Sequence, residues 1–274
     1  MAFKYFLHND EILPLEQAVV PLSRVEYSYG FGAYETIRVN NGSPLFIGDH
    51  CKRLMISADI IGLEHGFNAG SIKDNVIKLI KQNEAQACNI KILLIGGDKK
   101  DLATLDILCL NPLYVDRKLY SNGAKVITYN YERDFPGSKT LNMLPSYLAY
   151  REALRSGAYD AILINRLDCI TEGTRTNFFG LKGRQLFSPP VDKILPGISR
   201  AHVIEIATQN GFKVTDQTIK LSEINEFDSL FLTSTSTKIL PVNQVNGQLL
   251  NFKNGALKEL IHIYDEFLER HLSQ

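Results

Sequence analysis

The chain has 274 residues, enough for two modest domains or one large one. Hydrophobic residues make up 45% and charged residues 22%, an ordinary globular balance, and 30 basic side chains offset 30 acidic ones. Zero net charge excludes a nucleic-acid binder driven by bulk positive charge, and the clusters Lys52-Arg53 and Lys99-Lys100 are too short to reverse that.

Residues 1–47 read as strands joined by tight turns. The start, Met1-Ala2-Phe3-Lys4-Tyr5, has no apolar core of signal-peptide length, and no later run reaches membrane-spanning length. Lys4 to His8 is a short alternating strand, and Glu35-Thr36-Ile37-Arg38-Val39 is another, ended by the turn Asn40-Asn41-Gly42. Before it, Tyr29-Gly30-Phe31-Gly32-Ala33-Tyr34 sets glycines beside aromatics, as a tight turn or a close backbone approach would require. Asp49 is placed to cap a helix through Leu54, Ile56, Ile60 and Ile61 that stops at Gly62 and carries Arg53. A second helix is predicted from Ser71, with Ile72, Val76, Ile77, Leu79 and Ile80 on one face. Strands Ile90 to Ile95 and Leu105 to Leu110 flank a polar loop, and Asn111-Pro112 breaks the pattern. We place the domain boundary in 114–118, giving domains 1–115 and 116–274.

The second part alternates strand and helix more regularly. Ala124 to Tyr129 reads as a strand. Pro145 opens a helix with Leu148, Ala149, Ala153 and Leu154 on one stripe and Gly157 as its stop. Strand Ala161 to Ile164 follows, then short strands to Phe187. A helix begins at Leu195-Pro196-Gly197-Ile198-Ser199-Arg200 and ends at Gly211. Val214 to Ile219 and Leu230-Phe231-Leu232 read as strands. The hydroxyl run Thr233 to Thr237 comes next, then a hairpin at Val245-Asn246-Gly247 and a final amphipathic helix with Leu257, Leu260, Ile261, Tyr264 and Leu268. Cys51, Cys88, Cys109 and Cys169 form no CxxC pair, which predicts no metal site, no disulfide frame and a reducing, cytoplasmic setting.

Three features could build one site. Gly197-Ile198-Ser199 stands at a helix start, where backbone N–H groups and the dipole favour an anion. The hydroxyls of Thr233 to Thr237 and the guanidinium of Arg53 could add bonds to phosphate. Glu172 could pair with a protonated ring nitrogen and make that ring an electron sink. Lys139, between a strand and a helix, could form a Schiff base if it is desolvated enough to be neutral. Each also has an ordinary reading: a helix cap, a turn, a surface arginine, a strand-end carboxylate, a solvated lysine.

Taken together, several runs resemble a known family. They are Phe31-Gly32-Ala33-Tyr34-Glu35-Thr36-Ile37-Arg38-Val39, His50-Cys51-Lys52-Arg53-Leu54, Lys139-Thr140-Leu141-Asn142, Glu172-Gly173-Thr174-Arg175-Thr176-Asn177-Phe178-Phe179, Leu195 to Arg200 and Ser234 to Val242. In this order they are similar to class IV (fold type IV) pyridoxal-phosphate enzymes, a group with branched-chain and D-amino acid aminotransferases and aminodeoxychorismate lyase. The resemblance implies a two-domain α/β (α+β) fold, with a small N-terminal α/β domain and a larger C-terminal α/β pseudo-barrel domain, and a homodimer. It implies pyridoxal 5'-phosphate bound covalently by Lys139, its ring nitrogen paired with Glu172. Its phosphate would be held by Arg53, Ile198, Ser199, Ser234 and Thr235, with Tyr34 and Glu35 on the substrate side.

Departures narrow the reaction. Asn89-Ile90-Lys91-Ile92-Leu93 lacks the Arg-Pro pair of many branched-chain enzymes. Leu94 to Asp98 lacks the carboxylate-trapping arginine of D-amino acid enzymes, for which Lys99 or Lys100 could substitute. Met143 stands near the place of a cofactor-contacting tyrosine. The expected reaction is transfer of an amino group from a small amino acid to a 2-oxo acid. The alternative is 4-amino-4-deoxychorismate lyase chemistry, releasing pyruvate and 4-aminobenzoate. A non-catalytic phosphate-ligand binder on the same fold is the rival from another class.

Overall fold

A computed structural model of the chain describes residues 3–272. The chain divides into two compact units, Met1–Leu113 with Ser138–Met143, and Tyr114–Gly137 with Leu144–Gln274. A cut at one point of the chain therefore does not describe the division. The segment around Lys139 leaves the second unit's sequence and belongs to the first.

The first unit contains β1 (Tyr5–His8), β2 (Glu11–Pro14), α1 (Val25–Tyr29), β3 (Gly32–Asn40), β4 (Ser43–Pro44), α2 (Ile47–Ile60), α3 (Ala69–Gln82), β5 (Ala87–Ile95) and β6 (Thr104–Leu110). Among the described residues six strands form one antiparallel sheet, in the order β2-β1-β6-β5-β3-β4. Strand alternation splits its faces. Ala33, Ile37 and Val39 on β3 and Cys88, Ile90, Ile92 and Leu94 on β5 are buried. They share a core with Leu54 and Ala58 of α2 and Ile72, Val76 and Leu79 of α3. Tyr34, Thr36, Lys91 and Leu93 occupy the opposite, partly open face. The glycine-aromatic run is part of β3 itself. A Cβ on Gly32 would lie 2.7 Å from Leu94 O and 2.8 Å from Leu141 Cδ1, so the close approach is to the segment carrying Lys139.

Two helix starts differ from expectation. α2 begins after Phe46, which adopts left-handed backbone at φ 52°, so Asp49 lies in the first turn rather than at the cap. There it acts on the helix dipole instead of on a single N–H. α3 begins at Ala69, capped by Asn68, whose side chain accepts from Ser71 N at 3.0 Å. The five-residue α1 has no apolar period and was not foreseen.

The second unit runs α4 (Arg117–Asn122), β7 (Ala124–Asn130), α5 (Leu144–Arg155), β8 (Asp160–Ile164), β9 (Cys169–Gly173), β10 (Asn177–Lys182), β11 (Gln185–Ser188), α6 (Ile198–Gln209), β12 (Lys213–Asp216), β13 (Ile219–Lys220), β14 (Ser229–Ser234), β15 (Lys238–Val245), β16 (Gln248–Leu249) and α7 (Gly255–Leu272). The expected strand 214–219 is two separate strands, β12 paired with β11 and β13 paired with β9. β10, β14, β15, β7, β8 and β9 are successive neighbours, and β9 pairs back to β10 at Glu172↔Asn177. The sheet thus closes into the barrel-like ring that the resemblance implied. Its strands β8 and β9 are buried at every residue, as a sheet covered on both faces requires. On α5 only Ala149 and Ala153 of the expected stripe are buried, while Leu148 and Leu154 are exposed.

Candidate active site

In the first unit the backbone around Lys139 is pinned on both sides. Lys139 N donates to Ser57 Oγ at 3.0 Å, and Ser138 Oγ donates to Ser57 O at 2.8 Å. Tyr34 N donates to Lys139 O and Leu141 N to Gly32 O, each at 2.9 Å, around an antiparallel bridge between Ala33 and Thr140. The Lys139 ammonium lies 4.5 Å from the centre of the Tyr34 ring. Tyr34 therefore stands beside Lys139.

Glu35 does not. One residue along the strand turns it to the other face, where it is fully buried, so its expected place on the substrate side is corrected. Arg53 donates to Glu35 through Nε at 2.6 Å and Nη2 at 2.8 Å, and His50 Nδ1 bonds Glu35 Oε2 at 2.7 Å. Burial alone would raise the Glu35 carboxyl, but Arg53 and the His50 hydrogen bond outweigh it and hold it well below the usual carboxylate range. Burial pushes His50 down in spite of Glu35, so the imidazole is neutral and Nδ1 donates. Arg53, expected on phosphate, thus gives at least one edge of its guanidinium to Glu35.

In the second unit, strand register aligns Glu172 on β9, Asn177 on β10 and Thr233 on β14 as neighbours across the sheet. Glu172 is 4% exposed, and both carboxylate oxygens are engaged: Arg133 Nη1 donates to Oε1 at 3.0 Å and Leu195 N to Oε2 at 3.1 Å. Arg133 thus gives this buried carboxylate a positively charged partner. Asn177 Nδ2 donates to Leu195 O at 2.9 Å, which ties this sheet end to the start of α6. Gly197 caps α6, and a Cβ there would collide with Asn177 Oδ1. Ile198 and Ser199 are in the first turn, where N–H groups lack intrahelical acceptors. Tyr264, on α7, hydrogen-bonds Ser199, and burial pushes its phenol up to about 12.

Ser234 is turned inward. Its hydroxyl accepts from Ser236 N at 3.3 Å and Thr237 N at 3.2 Å and lies 2.9 Å from Thr237 Oγ1, so it shapes the turn between β14 and β15. Thr235, at the tip of that turn, is half-buried.

The structure thus gathers Lys139, Tyr34, Glu35 and Arg53 in the first unit, and Glu172, Ile198, Ser199, Ser234 and Thr235 in the second. Arg133, Asn177, Ser57, His50, Lys91 and Tyr264 gained no role from sequence reasoning. Arg133 is a charge six residues before Lys139, and nothing local marks it as the counter-ion of a residue 39 positions away.

Two consequences follow for this part of the site. Gly197→Ala should displace Asn177 and weaken phosphate affinity at least tenfold, read by titration of the cofactor-free protein with pyridoxal 5'-phosphate. Glu172→Gln should leave the cofactor bound and slow turnover by about 10²-fold, the scale of losing a preorganised electrostatic partner. Unchanged turnover would remove Glu172 from the chemistry.

Comparison with known proteins places the chain in a family. A family model described as Amino-transferase class IV matches residues 32–245. D-alanine aminotransferase of Bacillus licheniformis is 27% identical over 253 residues, 89% of this chain and 89% of that protein. A putative branched-chain-amino-acid aminotransferase of Methanocaldococcus jannaschii is 29% identical over 264 residues, 87% of this chain and 91% of the other. The crystal structure of the branched-chain aminotransferase from the thermophilic archaeon Thermoproteus uzoniensis with norvaline superimposes with a TM-score of 0.89 at 24% identity, over 99% of this chain and 98% of that one. With the motifs, the closed sheet and this match over most of its length, the chain belongs to the class IV aminotransferase family of pyridoxal-phosphate-dependent enzymes.

Proposed function

We propose that this enzyme moves the amino group of a small amino acid to a 2-oxo acid, with pyridoxal 5'-phosphate held by Lys139. The observation that carries the reading is the fixed backbone on either side of Lys139, which leaves only its half-buried side chain to move. When bound, the cofactor supplies an aldehyde for amines and a ring that withdraws electrons. The donor set fits it: a half-buried amine, a buried carboxylate with its own counter-ion, and a helix start beside a hydroxyl turn. Lys139 binds the aldehyde carbon and holds or moves a proton at the substrate α-carbon. Glu172, paired with Arg133, accepts a hydrogen bond from the ring N–H. To the phosphate we assign the N–H groups of Ile198 and Ser199, the Thr235 hydroxyl, the Ser234 turn and the Arg53 guanidinium. Tyr34 lines the substrate side.

The named relatives are aminotransferases, which favours transamination over the lyase reaction. We also read the protein as a cytoplasmic homodimer. Its four cysteines are free, as a reducing compartment keeps them, and Val19, Val20, Leu22, Val25 and Tyr29 present exposed apolar surface in one short stretch.

Incubation with an amino acid and 2-oxoglutarate should yield glutamate and the matching oxo acid. Incubation with aminodeoxychorismate should release no pyruvate. Pyruvate and 4-aminobenzoate without glutamate would replace this reading with the lyase.

A further inference from the structure

Two amines meet on one aromatic ring. Lys91 Nζ lies 3.5 Å from the centre of the Tyr34 ring and Lys139 Nζ lies 4.5 Å from it. The two nitrogens are therefore no farther apart than the screening length of physiological salt, about 8 Å. Lys91 projects from β5 on the same face as Tyr34, paired in register with Thr36. Among the described residues no carboxylate forms an ion pair with Lys91.

Other ionisable groups of this unit near Lys139 lie on β3 and α2. Tyr34 on β3 offers its ring to both amines. On α2, Arg53 is matched by Glu35 from the far face of β3, and His50 is uncharged. Lys91 adds a positive charge on the face of the Tyr34 ring that Lys139 shares.

We propose that Lys91 is a positioning residue for Lys139: its ammonium, held against Tyr34, lowers the proton affinity of the Lys139 amine and keeps a larger share of it neutral and nucleophilic. The coupling is reciprocal. Lys91 is itself pushed down to about 8, by burial first and by Lys139 in addition, against the pull of Tyr34 and Glu35. Its influence is therefore full well below that pH and fades above it.

The inference rests on Lys139 being the reactive amine proposed above, but its test needs no turnover. The full-length, cofactor-free protein is trace-labelled with acetic anhydride at pH 6 to 11, and the peptide bearing Lys139 is quantified by mass spectrometry. Lys91→Met should raise the labelling midpoint, by up to about one pH unit, as expected for a like charge removed at this range. Lys91→Arg, charged across the whole range, should hold the midpoint at or below the wild-type value. In the wild type, 1 M KCl should move the midpoint toward that of Lys91→Met. An unchanged midpoint in Lys91→Met, or an equal shift in Lys91→Arg, overturns the proposal. Should Lys91→Met fail to fold by circular dichroism, the wild-type salt series decides: a midpoint insensitive to salt overturns it. Failure of borohydride to fix pyridoxal phosphate on wild-type Lys139 would strike the proposed function alone and leave the amine titration standing.

Discussion

Lys139→Ala should no longer be fixed to pyridoxal 5'-phosphate by borohydride, and its transamination should fall at least about 10³-fold, within the range that loss of a proton-transferring group produces. Thermal stability should scarcely change, because residue 139 takes part in the bonds that pin this segment through its backbone N and O. Tyr34 N still finds the carbonyl of residue 139, and the amide of residue 139 still finds Ser57 Oγ. The groups of the second unit proposed to hold the phosphate are untouched, so the cofactor should still bind, without a covalent link. A variant that keeps both its melting temperature and its phosphate affinity while losing turnover isolates the amine as the chemical group. Retained borohydride labelling in Lys139→Ala would show that another amine carries the cofactor.

Glu35→Ala should destabilise the first unit by about 3–5 kcal/mol, the usual cost of removing one partner of a buried ion pair. Arg53 is 9% exposed and would keep its charge with its main carboxylate gone, and His50 Nδ1 would lose its acceptor. At roughly 2–4 °C per kcal/mol for a protein of this size class, the melting temperature should drop by about 10 °C. The second substitution Arg53→Met on top of Glu35→Ala should recover much of that loss, since it removes the stranded charge. Equal melting temperatures for wild type and Glu35→Ala would mean that Arg53 relaxes to water at no cost.

The same cluster sets a pH dependence. Glu35 is held below its unfolded value, so its contribution is present above the unfolded pKa near 4.3 and is lost as pH falls toward the folded one. His50 is also depressed, so its contribution is present above about 6.5 and is lost on acidification. Both push in one direction: the wild type should melt lower at pH 4 than at pH 7, and Glu35→Ala should show a shallower slope.

Much of the architecture was legible in the chain. Periodicity marked β3, β5, β6, α3 and α7 because each buries one face against a single core. Gly62, Gly157 and Gly211 ended helices with positive φ, where other residues would be strained. The family and its cofactor were legible for a related reason. A lysine amine, a ring-pairing carboxylate and a phosphate cup each need particular residue types in a short run, and short runs survive as motifs.

Only tertiary structure decided the rest. Glu35 and Tyr34 are adjacent in sequence yet serve opposite faces, because a strand alternates its side chains and the buried face is fixed by what packs on it. The Arg133 counter-ion of Glu172, the support of Lys139 by Ser57 and the approach of Lys91 to Tyr34 all join residues distant in the chain. No local rule encodes such pairs: their free energy comes from charges and hydrogen bonds brought within a few ångströms by sheet register, and register is a property of the folded sheet.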